Sequence, residues 1–269
     1  MSDDLDRPPV TYHRSPDGVG KITMARPEAM NALDLATKDA LVAAVQRAAE
    51  DANARAVVIT GSGRAFSVGQ DLREHADNLG SQPMDQVWAT VAQHYGPIAQ
   101  SLATMPKPVV AAVNGVAAGA GASIAFACDV RIVADTAGFN LAFTGIGLSC
   151  DTGTSWTLPR LVGHARAIEL LLQPRTVGAE EALNLGLATR VVPADELQGE
   201  ADLLAAQLAA GPTVAFGAVR RALAYAASHS LADSLAYEAE LMELTGSSED
   251  HHNAVGSFVA KQRPTFRGL

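Results

Sequence analysis

The stretch from Pro106 to Val130, PKPVVAAVNGVAAGAGASIAFACDV, constrains the fold more than any other part of the chain. A short apolar run, Val109 to Val113, is bounded by proline before it and by Asn114-Gly115 after it. Such a run forms a strand buried on both faces. The small residues from Gly115 to Ala122 then lead into an apolar segment ending near Cys128-Asp129, which reads as a buried helix. Its first turn, around Gly119-Ala120-Gly121, is nearly free of side chains. Unobstructed N–H groups at a helix start favour negative charge, so something anionic, or anionic during a reaction, can sit there. A dinucleotide fingerprint is excluded, because its third glycine would fall at Ile124. Two readings stay open: a tight helix–sheet contact, or one side of an oxyanion hole that needs a second backbone donor elsewhere.

With 269 residues, 48% of them hydrophobic, the chain can bury a large core. Its net charge of −9 argues against a nucleic-acid partner. The two cysteines, Cys128 and Cys150, sit in apolar or glycine-rich settings and point to a reducing compartment, not a disulfide scaffold. The start, MSDDLD, lacks an apolar signal core, and no run approaches the ~18 apolar residues of a membrane span. A cytoplasmic protein without membrane partners is therefore expected.

Taken in order, residues 1–9 are polar, end in Pro8-Pro9 and are expected to be disordered. Val10 to Met24 predicts a hairpin around a Ser-Pro-Asp-Gly turn, followed by a helix from about Leu35 to Ala52 and a strand from Ala56 to Thr60. The loop from Gly61 to Glu74 is rich in glycine but has no Walker ending, and Ser67 lacks a Gly-x-Ser-x-Gly frame. It offers instead a backbone able to pass close to a ligand at Gly69, a candidate for the second donor. Helices are expected over 84–104 and 158–172, a short one from Val177, and strands over 130–134 and 188–192. After Pro193 the pattern is helical only, at about 195–210, 212–227, 231–245 and 248–260, with Ser247 or Ser248 as a cap. The boundary divides an α/β core, 10–194, from a helical region, 195–269.

These residues resemble the crotonase (enoyl-CoA hydratase/isomerase) superfamily from Val10 to Phe266. The resemblance rests on RPEAMNAL from Arg26, GRAFSVGQDL from Gly63, KPVVAAVNGVAAG from Lys107, GLATRVV from Gly186 and FVAKQRPTF from Phe258. It implies an α/β spiral of repeated ββα units with a C-terminal helical part that assembles trimers or paired trimers. It also implies a coenzyme A thioester as substrate, with no separate cofactor and no metal. The thioester oxygen is held by two backbone N–H groups, which map onto Gln70 and Ala120. Two fixed donors favour an enolate over the neutral carbonyl and so make the α-carbon acidic. By the same resemblance Arg26, Ala29, Met30, Val68, Asp71, Leu72, Arg73, Phe143, Phe258 and Lys261 contact substrate or coenzyme A. Lys261 reaches for the phosphates, often in a neighbouring subunit, whereas Glu28 stands where the family often has lysine.

The family's hydratases carry two glutamates that hold water; aligned without gaps, those positions are Ser123 and Phe143 here. Asp151, in GLSCDTGTSW, resembles the catalytic aspartate of the family's epoxyphenylacetyl-CoA isomerases and the nucleophile of its 4-chlorobenzoyl-CoA dehalogenases. The dehalogenase tryptophan falls at Phe143 and its histidine near Gly96, with His94 displaced. The expected reaction is therefore double-bond isomerisation with Asp151 as acid and base, in a pocket of Phe143, Leu148 and Cys150 that raises its pKa. The alternatives are hydration with another acid–base set, a dehalogenase or hydrolase using an aspartate nucleophile, and a silent acyl-CoA-binding assembly. Read locally, Asp151 also fits a plain helix cap. Phe143 and Trp156 read as core or acyl-pocket lining, and His75 and His164 as surface residues. His251-His252 reads as the solvated start of a helix, since adjacent helical residues diverge. Leu197, Leu204 and Leu208 are expected to pack between subunits.

Overall fold

In the computed structural model of the chain, residues 8–269 are described. The expectation of disorder for residues 1–7 lies outside them; Pro9 is tied down, its carbonyl accepting from the Ala25 N–H at 2.8 Å. Val10–Arg14 (β1) and Val19–Met24 (β2) form the antiparallel hairpin, closed by Gly18 at φ +85°. Leu35–Glu50 (α1) starts where the Asp34 carboxylate accepts from the Thr37 N–H at 2.8 Å. It buries Leu41, Val45 and Ala48, one helical stripe, against the hairpin sheet.

From Ala56 the chain repeats one move three times: a strand in a large sheet, a short strand in a second sheet, then helix. Ala56–Gly61 (β3) and Ala65–Ser67 (β4) precede Leu72–Ser81 (α2), Met84–Thr90 (α3) and Gly96–Thr104 (α4). Between α3 and α4, Val91–Tyr95 makes one π-helical turn. Val109–Val113 (β5) and Val116–Ala118 (β6) precede Ala120–Phe126 (α5). Val130–Ala134 (β7) and Gly138–Asn140 (β8) precede Thr154–Val162 (α6) and His164–Leu172 (α7). Thr176–Gly178 (β9), Ala179–Leu185 (α8) and Arg190–Val192 (β10) finish the two sheets. Their orders are β1-β2-β3-β5-β7-β10 and β4-β6-β8-β9. In the large sheet every pair from β2 onward is parallel, which places β5 centrally with all five residues fully buried.

Two asparagines lock the loops where the chain crosses between sheets. Asn31 donates to the carbonyls of Ser62 (2.9 Å) and Ala65 (2.8 Å) and accepts from the Arg26 N–H (2.9 Å). Asn114 donates to Gly63 (2.9 Å) and Ala65 (3.1 Å). A Cβ at Gly115 would lie 2.1 Å from the Arg64 carbonyl oxygen, so only glycine fits there.

Four helices complete the chain: Leu197–Ala209 (α9), Thr213–Ala226 (α10), Leu231–Gly246 (α11) and Glu249–Val259 (α12), the last capped by Ser248 through the His251 N–H. The expected subunit contacts of α9 are corrected: α9 packs across β3, β5 and β7, with Leu197 buried and Leu204 and Leu208 against the same core. The apolar stripe serves the protomer's own sheet. Residues 158–172, expected as one helix, break at Gly163, whose φ of +78° no continuous helix accepts. Among the described residues no single helix is long and apolar enough to cross a membrane.

Candidate active site

Leu33 and Gln70 form an isolated parallel bridge in which the Leu33 N–H donates to Gly69 (2.8 Å) and the Asp71 N–H to Leu33 (3.2 Å). Alternation along an extended chain then turns the Gln70 N–H away from that bridge. Ala120 is the first residue of α5, where no intrahelical acceptor exists. Gly119 before it, at φ +51°, uses its own N–H on the Asn140 carbonyl at 2.9 Å. The two segments abut closely. A Cβ at Gly69 would lie 3.2 Å from the Ala120 nitrogen, and one at Gly121 2.2 Å from the Ser67 oxygen. Glycine at both positions lets the two segments approach this closely, and Gln70 and Ala120 line one cavity.

That cavity, about 120 Å³, has mainly apolar walls from Val68, Leu72, Trp88, Phe143, Ile146 and Leu148. The titratable groups on its wall are Asp151, Tyr95 and His75. It shares Val68, Gln70 and Leu72 with an outer, polar groove of about 820 Å³ lined by Arg26, Arg64 and Arg73 together with Glu28, Asp34, Asp71, Glu74 and Asp77. A ligand with an apolar part inside and a polar part outside matches this division.

Asp151 precedes two residues in the left-handed region, Thr152 (φ +51°) and Gly153 (φ +75°). Gly153, not Asp151, is the N-cap of α6, and no side chain caps it. The main chain does that work: the Asp151 carbonyl accepts from the Thr154 N–H (2.9 Å) and Oγ1 (2.8 Å). Thr154 Oγ1 in turn meets Ser123 Oγ, which donates to the Gly119 carbonyl at 3.0 Å. The Asp151 carboxylate is thus left for the cavity, with the Thr152 hydroxyl donating to Oδ1 at 2.7 Å. Burial pushes its pKa above the ordinary carboxylate range, partly offset by hydrogen bonds from Thr152 and its own N–H.

A raised carboxylate pKa means the folded chain holds the proton more tightly than the unfolded chain. The stability that this contributes is present below the unfolded pKa and is lost as pH rises through the folded one. Asp151→Asn, which carries no charge at any pH, is therefore expected to gain in melting temperature relative to the parent as pH rises from acid to neutral. Melting curves of both proteins across that range check this; a gap that narrows toward neutrality contradicts it.

Other sequence-selected residues fall in several places. Ala29, Met30, Asp71 and Arg73 line the outer groove. Arg26 lines it too, yet its guanidinium turns inward, 2.7 Å from the Ala32 carbonyl, 3.0 Å from Asp34 and 3.5 Å from Asp71. Asp71 also caps α2, accepting from the Arg73 (3.1 Å) and Glu74 (3.3 Å) N–H groups. Phe143 lines the inner cavity, whereas Ser123 is fully buried on Thr154 behind it. Phe258 and Lys261 line neither cavity in the protomer, and Phe258 is 84% exposed at the end of α12.

Several expectations are corrected. Trp156 is exposed and stacks on Arg160, 4.1 Å from ring centroid to guanidinium carbon, because it sits on the outer face of α6. Cys150 does not line the cavity. By contrast His94, displaced in sequence from the dehalogenase histidine position, is held between Thr90 and Asp39, each at 3.0 Å, outside the cavity. His75, expected at the surface, lines the cavity instead, its ring 5.3 Å from Trp88. Tyr95 belongs to the apolar stripe of 84–104 and Trp88 lies beside that stripe, so neither stands out as a site residue. The π-helical turn that aims Tyr95 inward has no periodic signature.

A model of the enoyl-CoA hydratase/isomerase family matches residues 14–268. A Rhodobacter capsulatus protein named as a probable enoyl-CoA hydratase is 44% identical over 94% of this chain and 95% of its own. The 1,2-epoxyphenylacetyl-CoA isomerase of Escherichia coli is 38% identical over 93% of this chain and 95% of its own. A crystal structure from Mycobacterium abscessus, named for an enoyl-CoA hydratase/isomerase, superposes with a TM-score of 0.92. It is 41% identical and covers 97% of this chain and 100% of its own. With one strand of each repeat in either of two sheets, these matches show that the chain belongs to the enoyl-CoA hydratase/isomerase, or crotonase, family.

Proposed function

We propose that this acyl-CoA enzyme shifts a double bond, with Asp151 as the acid and base. The observation that carries the reading is a carboxylate freed from capping, half-buried on the wall of the cavity that Gln70 and Ala120 also line. For a β,γ-enoyl thioester, Asp151 takes a proton from the α-carbon and the electron pair moves into the thioester oxygen. The Gln70 and Ala120 N–H groups hold the resulting dienolate. The proton returns to the γ-carbon, the double bond settles between the α- and β-carbons, and the product has the mass of the substrate. The step uses only groups of this chain and the coenzyme A that the substrate carries.

Hydration is a second reading, favoured by the name of the 44%-identical relative. Against it, Ser123 and Phe143 offer no carboxylate to orient water, and Ser123 is turned onto Thr154. A panel of CoA thioesters followed by mass spectrometry tests the proposal. A moved double bond at constant mass and very slow hydration of crotonyl-CoA are expected. Rapid water addition, halide loss from an aryl halide, or no turnover of any thioester contradicts it.

Assembly belongs to the same reading. Leu223, Met242, Phe258 and Val259 on α10–α12 are 70%, 72%, 84% and 76% exposed, which is costly for a lone protomer. We place these faces between subunits of a trimer or paired trimers, so that Lys261 reaches a neighbour's outer groove. Light scattering at micromolar concentration is expected to give a trimer or a multiple of it, and a monomer contradicts this.

A further inference from the structure

The Gln70 side chain is gripped from two sides. Tyr95 Oη donates to Gln70 Oε1, and Lys38 Nζ lies 3.4 Å from the same oxygen. Both partners are buried, Tyr95 2% and Lys38 3% exposed. Lys38 is also 3.6 Å from Glu74 Oε1, while Glu74 Oε2 accepts from the Leu35 N–H at 2.9 Å. Lys38 has only donors to offer, which turns the amide oxygen toward it, and the Tyr95 hydroxyl then donates to the same oxygen. The grip joins the first turns of α1 and α2 and the π-helical turn to one residue.

The grip acts beside a backbone with few other restraints. Gln70 follows Gly69, at φ +80°, and is paired with the rest of the fold by a single isolated bridge. The Gly69–Gln70 peptide is held on its carbonyl side by one hydrogen bond, from the Leu33 N–H at 2.8 Å, so a hold on the Gln70 side chain adds a second restraint on the direction of its N–H. From this geometry we propose that Tyr95 and Lys38 are positioning residues, which clamp the Gln70 side chain and thereby hold the Gln70 N–H where the thioester oxygen must sit. The proposal rests on the oxyanion-hole reading above and adds to it two residues that act only through Gln70. Burial, and then the charges of Asp151 and Glu74, push the Tyr95 phenol above its ordinary pKa, so it stays a donor throughout the working range.

The test uses crotonyl-CoA labelled with carbon-13 at the carbonyl, bound to the full-length protein and read by isotope-edited infrared spectroscopy. Turnover is read from the conversion of 3-butenoyl-CoA to crotonyl-CoA. In the unmodified protein the bound carbonyl stretch is expected to fall to lower frequency. Tyr95→Phe removes one oxygen atom and should reverse part of that fall. It should lower kcat/KM roughly 10- to 10²-fold, the range for a misplaced catalytic group, with little change in melting temperature. Gln70→Ala keeps the backbone donor, loses the grip and should match Tyr95→Phe. The double variant should be no worse than either single one, because Tyr95 then has nothing to hold. A Tyr95→Phe loss that persists in full on the Gln70→Ala background overturns the clamp, since Tyr95 would be acting on substrate directly. An unchanged carbonyl shift in Tyr95→Phe overturns it too. No shift in the unmodified protein removes the oxyanion-hole reading itself and the clamp with it.

Discussion

Asp151→Asn is expected to lower enoyl-CoA isomerisation by ~10²–10⁴-fold, the usual cost of losing a positioned acid–base group. The substitution is clean because the Asp151 carboxylate caps nothing: α6 begins at Gly153, and the Asp151 carbonyl, not its side chain, serves Thr154. An amide can still accept from the Thr152 hydroxyl, as Oδ1 does now at 2.7 Å. It cannot take a proton from carbon. Thioester binding should survive, since the Gln70 and Ala120 N–H groups are untouched. Turnover and thioester affinity of purified Asp151→Asn check the split. Parental turnover, or a loss of affinity that matches the loss of turnover, contradicts the assignment.

Ala120→Pro is expected to cost at least ~10²–10³-fold in kcat, the measured scale for deleting one oxyanion donor. Proline is tolerated at the first position of a helix, where the N–H has no helical acceptor. Gly119, at φ +51° and ψ −124°, is already extended in the mirror sense, as the residue before a proline must be extended. The helix and the fold should therefore persist while one donor disappears and a ring carbon takes its place. The check is kcat alongside circular dichroism. A folded variant with parental kcat shows that Ala120 N–H is not used; an unfolded one shows that the α5 start does not accommodate the ring.

Both variants act on parts of the chain that differ in how plainly the sequence announces them. The β5 strand is legible because a five-residue apolar run between a proline and Asn-Gly has few other folds. The family motifs stand out because their residues are braces with no substitutes. Asn31 and Asn114 converge on the Ala65 carbonyl, and Gly69, Gly115 and Gly121 sit where a Cβ would strike backbone. The three-residue strands β4, β6 and β8 carry too little pattern to separate from loop. Leu197, Leu204 and Leu208 form a true helical stripe, but a stripe does not say whether its own sheet or a neighbour covers it.

The site itself was half legible. Glycine placement points to the segments around Gly69 and Gly119, while the assignment of Gln70 and Ala120 as donors, like that of Asp151, comes from the family resemblance. The choice between cap and free carboxylate depended on the left-handed φ of Thr152, which propensity disfavours and sequence does not reveal. Tyr95, Trp88 and His75 come from helices whose facing is set by a π-helical turn and by tertiary contact. Buried Lys38 could not be told from a solvated helix charge, because its partners Gln70 and Glu74 lie over thirty positions along the chain.

The central claim is that this cavity makes and quenches an enolate without adding water. Incubating 3-butenoyl-CoA with the protein in water enriched in heavy oxygen tests it in one mass spectrum. The account predicts crotonyl-CoA of unchanged mass and no heavy oxygen in any acyl product. A hydroxyacyl-CoA carrying the heavy oxygen, formed as fast as or faster than crotonyl-CoA, would contradict it.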